Sequence, residues 1–115
     1  MQNADLIRLR HMLDAAREAV SFVAGKSRQE LDDNRMLVLS TVKDIEILGE
    51  AASKVSEEGR DACPEIPWRD IVAMRNRLIH GYFDINLDIV WHTVTEELPP
   101  IIRQLEMILG ICGRF

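Results

Sequence analysis

A chain of 115 residues is most simply one domain, residues 1–115, and buries roughly two thirds of the surface its unfolded form exposes, enough for one core. Apolar residues make up 47% of it but aromatics only 5%, so the core is aliphatic, a choice that favours helices over sheets. The net charge of −5 argues against bulk electrostatic coating of nucleic acid or anionic membrane, although 14 Lys and Arg residues leave room for a local basic site.

Leu6, Leu9, Leu13, Ala16, Val20 and Val23 recur at steps of three and four, the stripe of a helix running from about Ala4 to Ala24 and ended by Gly25. A second row, Met12, Ala15, Ala19 and Phe22, widens the face to what a bundle buries. Ser27 and Glu30 have capping-box spacing and open a short helix. A long one follows from about Asn34 to Ser56, with Val38, Val42, Ile45, Leu48, Ala52 and Val55 turned inward. Gly49, in its middle, predicts close approach of another helix, from this chain or a second subunit. Residues 57–66 read as a loop because they hold Gly59 and Pro64.

Pro67 suits the first turn of a third helix, Trp68 to about His80, with Ile71, Met74 and Leu78 facing the core and Gly81 stopping it. Asn86 caps a fourth helix from Leu87. Pro99 and Pro100 break or kink that pattern after Leu98, and a last helix spans Ile101 to Ile111. No strand is expected, and the fold class is an all-α, up-and-down bundle of four to five helices. No run approaches the ~18 apolar residues that cross a bilayer, and no leader is visible. Cys63 and Cys112 match no metal or redox spacing. The expectation is a soluble cytoplasmic protein with reduced thiols, no cofactor and no metal.

Chemistry concentrates in RNRLIHGYFD, residues 75–84. On a helix extending to His80, that imidazole shares a face with Asn76 and Arg77, while Arg75 lies about 140° away and must reach around. Histidine changes charge near neutrality, and the dipole at a helix C-terminus favours its acid form. Arginine presents a fork of donors matched to phosphate oxygens. An acid or base beside an anion clamp suffices for phosphodiester transfer when RNA supplies its own 2′-OH. Cations are also favoured at helix C-termini for dipole reasons alone, so spacing leaves both readings open.

Resemblance weighs the balance. The run IPWRDIVAMRNRLIHGYFDINLDIVW, together with IEILGEAASKVS at residues 45–56 and EELPPIIRQLEMI near the end, closely resembles HepT-like proteins, members of the HEPN superfamily of all-helical ribonucleases. The family pattern R-x-x-x-x-H-x-Y is matched at Arg75, His80 and Tyr82. The resemblance implies a metal-independent endoribonuclease toxin of a type VII toxin–antitoxin system, acting on RNA, with tRNA among the targets. It implies a homodimer whose paired motifs form the cleft, with His80 as general acid/base and Arg75 stabilising the phosphate. It implies that a minimal nucleotidyltransferase antitoxin, MntA, places AMP on Tyr82. Asn76 is a supporting phosphate contact, and Arg77 and Arg69 are candidate RNA contacts or simply solvated. No DNA or membrane partner is expected. The alternative is a non-catalytic helical adaptor that binds such a nucleotidyltransferase.

Other features carry less. Asp84, Asn86 and Asp88 open like a calcium loop, but Ile89 and Thr95 stand where glycine and glutamate belong. His11 and His92 lack ligand spacing, and Glu46 and Glu50 read as a solvated face. Trp68 and Trp91 read as anchors of packing.

Overall fold

The computed structural model describes residues 1–80 and 84–110, with residues 79 and 80 as backbone only. Seven helices follow one another among these residues: α1 (Asn3–Val23), α2 (Gln29–Asp33), α3 (Arg35–Ser53), α4 (Glu57–Ala62), α5 (Trp68–Leu78), α6 (Leu87–His92) and α7 (Leu98–Leu109). Four long helical stretches form the expected bundle, because α6 runs through a wide π turn, Thr93–Glu97, directly into α7. Helix α1 packs between α3 and α7, and α3 carries α5.

The inward rows are those the periodicity predicts. Leu9, Met12, Leu13, Ala16 and Ala19 of α1 meet Ile45, Leu48 and Ala52 of α3, and Ile71, Met74 and Leu78 bury the inner face of α5. Leu6 is the exception, exposed in the first turn of α1. Gly25 has φ +74°, the left-handed turn that ends α1 at little cost for glycine. Asn34 caps α3 by accepting from the Leu37 N–H at 3.1 Å, and Asn86 caps α6 by accepting from the Ile89 N–H at 3.1 Å.

Three local expectations are corrected. Ser27 does not cap α2 with its side chain; its carbonyl accepts from the Glu30 N–H at 3.1 Å instead. Residues 57–62 are helical, not loop: Ser56 Oγ caps α4 by accepting from the Gly59 N–H at 3.0 Å. Gly59 fits there because a β-carbon would lie 2.7 Å from Asp5 Oδ2. Pro99 and Pro100 do not break the chain's helical path. They occupy the first turn of α7, where a missing N–H is tolerated, just after the π turn has shifted the hydrogen-bonding step.

Two buried carboxylates bear on stability in opposite ways. Asp5 accepts from the Ser56 hydroxyl at 2.6 Å and from the Ser56 N–H at 2.9 Å, tying the start of α1 to the α3–α4 corner. Those donors hold its carboxyl below the usual range, so its contribution is complete above the ordinary value of 3.8 and is lost as pH falls below it. Asp44, on α3, is 3% exposed, and its Oδ2 has no hydrogen-bond partner among the described residues. Burial first, then the hydrogen bond and negative charge of Glu18 on α1, push its carboxyl up to about 7. The folded chain therefore keeps a proton that the unfolded chain releases near 3.8, and stability declines as pH rises from there to about 7. Asp44→Asn should melt higher than the wild type at about pH 8 and at the same temperature near pH 4. Thermal melts across that range check it, and parallel curves at every pH would contradict it.

Candidate active site

The motif begins on α5, and the placement of α5 depends on Gly49. A β-carbon at Gly49 would lie 3.2 Å from the Ile71 carbonyl oxygen and 3.8 Å from that of Val72, so the two helix backbones touch where α3 has no side chain. The neighbour expected at this glycine is thus α5 of the same chain. Ile71, Met74 and Leu78 then lock the inner face of α5, and Arg75, Asn76 and Arg77 are left on its exposed sides.

Helix α5 ends at Leu78, two residues earlier than expected. The Leu78 carbonyl accepts from the Asn86 N–H at 2.7 Å, and the chain continues as a two-residue antiparallel pairing, Ile79 with Ile85 and His80 with Asp84. This short ladder corrects both the absence of strand and the placement of His80 as a last helical residue. His80 shares no helix face with Asn76 and Arg77. The dipole argument for its acid form weakens too, since that field falls off within the last turn. Instead, the register sets a residue bearing a carboxylate, Asp84, across from His80. Tyr82 and the stop at Gly81 lie outside the described residues, as does Cys112.

The arginines diverge. Arg75 Nε donates to Glu46 Oε2 at 3.4 Å, and its side chain is 55% exposed and lines a groove of about 640 Å³ along α3. Arg77, on another face, pairs with Glu97 at 3.2 Å and so ties α5 to the π turn. Glu97 in turn accepts from the Thr93 hydroxyl at 3.2 Å. Arg69 lines a separate hollow with Arg60, Trp68 and Asp70 at the other end of α5. There the Arg60 guanidinium lies 5.8 Å from the Trp68 ring, whose Nε1 donates to the Cys63 carbonyl at 3.0 Å. Trp68 is thus an anchor of packing, as its sequence context suggests. The Cys63 thiol is buried, and burial pushes it up, away from thiolate chemistry. Asn76 is exposed.

The structure therefore brings one motif arginine to a groove and assigns the other two basic candidates elsewhere. It also adds Glu46, which the one-helix reading had left on a solvated face. No local signal reveals a partner 29 residues away; only the crossing of α3 over α5 does. The calcium-like residues have structural work: Asn86 is the α6 cap, and Asp88 pairs with Arg28 at 2.8 Å.

Residues 12–108 match the family model described as ribonuclease HepT-like. A candidate RNase of Caldanaerobacter subterraneus subsp. tengcongensis is 34% identical over 101 residues, covering 88% of this chain and 90% of that protein. A candidate RNase of Methanocaldococcus jannaschii is 31% identical over 97 residues, covering 84% and 89%. A protein of Thermococcus cleftensis named "Probable ribonuclease HepT" is 35% identical over 69 residues, covering 60% and 63%. No solved structure matches. None of the helices among the described residues is long and apolar enough to cross a membrane. The match over most of its length places the chain in the HepT-like ribonuclease family.

Proposed function

We propose that the chain is a metal-independent endoribonuclease, the toxin of a type VII toxin–antitoxin pair, cutting RNA by transfer of a phosphodiester to the substrate's own 2′-OH. The observation that carries this reading is Arg75, which stands half-exposed on α5 with Glu46 its one ion-pair partner among the described residues. A guanidinium so placed can exchange a carboxylate for a phosphate without unfolding anything. Its two parallel N–H donors match the phosphate oxygens on which charge gathers as the bond is made.

In this mechanism a base removes the 2′-OH proton and the oxygen attacks the adjacent phosphorus. The bond from phosphorus to O5′ breaks, and an acid protonates O5′. The products are a 2′,3′-cyclic phosphate and a free 5′-hydroxyl. His80 is the acid/base group, with both protonation states accessible near neutrality. In a homodimer two copies of the motif divide those roles, one imidazole taking the proton and the other giving one. Asn76, exposed on the same helix as Arg75, supports the phosphate. The antitoxin is a minimal nucleotidyltransferase of the MntA type. The Tyr82 hydroxyl attacks the α-phosphorus of ATP, pyrophosphate leaves, and the AMP blocks the site with bulk and negative charge.

The test is cleavage of a total tRNA pool in EDTA by the wild type and by His80→Ala. Cuts by the wild type alone are expected, with the variant down by about 10²-fold or more. Equal cutting by both would remove His80 from the chemistry. Activity abolished by EDTA would replace this mechanism with a metal-assisted one.

A further inference from the structure

The groove that Arg75 helps to line has a charge of its own. Lys43, Ile47, Glu50 and Lys54 succeed one another on α3 at steps of four, three and four, and all are exposed. They form one stripe over about 16 Å of helix. Arg8 of α1 borders the stripe, as does Arg75 of α5. Among the described residues the lining thus carries four Lys or Arg against two Glu, a local excess of positive charge in a chain whose net charge is −5.

Two of those cations are already engaged: Arg75 with Glu46 at 3.4 Å and Lys54 with Glu50 at 3.3 Å. Arg8 and Lys43 make no ion pair among the described residues, so they offer charge that the fold itself leaves unspent. Among the described residues no Phe, Tyr or Trp lines the groove, and His11 is its one ring. What the described lining offers a ligand is chiefly charge.

We infer that this groove is the track along which single-stranded RNA reaches Arg75, with Arg8 and Lys43 holding the sugar–phosphate backbone away from the cut and Lys54 joining them as phosphate displaces Glu50. The inference rests on the ribonuclease reading and extends it to substrate: a flexible single strand, held by phosphates and tolerant of sequence. Such binding is driven by counterion release, and each phosphate that the protein neutralises on a single strand adds about 0.7 to the steepness of the salt dependence.

The test uses Arg8→Gln with Lys43→Gln, two groups outside the catalytic motif. Binding of a single-stranded RNA of about a dozen nucleotides is measured against salt, in a His80→Ala background to prevent cleavage. The double variant should bind roughly tenfold more weakly, with its log–log salt slope smaller by about 1.4. In the His80 protein, KM for the same RNA should rise by a similar factor while kcat stays unchanged, and cleavage of a dinucleotide should be unaffected. An unchanged slope and KM would overturn the track while leaving the ribonuclease intact. If the unaltered protein cuts no RNA, the ribonuclease reading fails, and the binding arm still decides whether the groove holds RNA. A changed oligomeric state with unchanged RNA affinity would make the groove a contact between copies and overturn the inference.

Discussion

Arg75→Ala is expected to lower kcat/KM for RNA by about 10²- to 10³-fold, the loss that follows removal of one preorganised donor from a site of developing charge. The fold should hardly notice. The side chain is 55% exposed, and its one ion pair among the described residues is a 3.4 Å contact to a carboxylate that is itself 33% exposed. Pairs of that kind contribute about 0–1 kcal/mol, so the melting temperature should stay within a few degrees of the wild type. Arg75→Lys keeps the charge and loses the planar fork, and should recover only part of the rate. Glu46→Gln provides the internal control. If Arg75 works by exchanging Glu46 for phosphate, freeing it should lower KM without raising kcat. The measurement is steady-state cleavage in EDTA beside a thermal melt. Full turnover by Arg75→Ala would show that the guanidinium at the groove is a surface cation and nothing more.

Legibility in the sequence followed the range of the interaction. Helix faces and caps are set within a few residues, so Ile71, Met74 and Leu78 could be assigned inward and Asn86 read as a cap, and both hold. The errors fall where a distant residue decides. Gly59 looks like a loop signal until Asp5, from the other end of the chain, takes the space a side chain would need. His80 looks like the end of a helix until Asn86 claims the Leu78 carbonyl and starts the ladder. The tandem prolines look like a break because the sequence does not announce the π turn before them. At the site the same division holds. The motif named Arg75 without help from the fold. Glu46, by contrast, became a partner only because α3 and α5 cross at Gly49. The partner of Arg77 was hidden by the same limitation: Glu97, which it pairs with, lies 20 residues on, in the π turn.

Gly49 is therefore the residue at which fold and site can be separated by experiment. Gly49→Ala removes glycine's helix penalty of about 1 kcal/mol but presses a methyl group toward a carbonyl oxygen. The two nearly cancel, because the β-carbon at 3.2 Å requires α5 to yield by only a few tenths of an ångström. Gly49→Val has no such balance. Its branches extend past the β-carbon into the Ile71 and Val72 backbone, in a helix already anchored in the core by the buried Ile71 and Met74 side chains. Overpacking of this kind costs about 1–3 kcal/mol, or roughly 4–12 °C in melting temperature for a domain of this size. The part of the strain that is relieved by moving α5 shifts Arg75 away from Glu46 and the groove, and a misplacement of about 1 Å costs about 10²-fold in rate. Gly49→Val should thus lose both stability and activity below its own melting point, whereas Arg75→Ala loses activity alone. A Gly49→Val protein that melts lower yet cleaves RNA at the wild-type rate would mean that α5 holds its place and the core absorbs the strain, and the coupling between this helix crossing and the site would have to be abandoned.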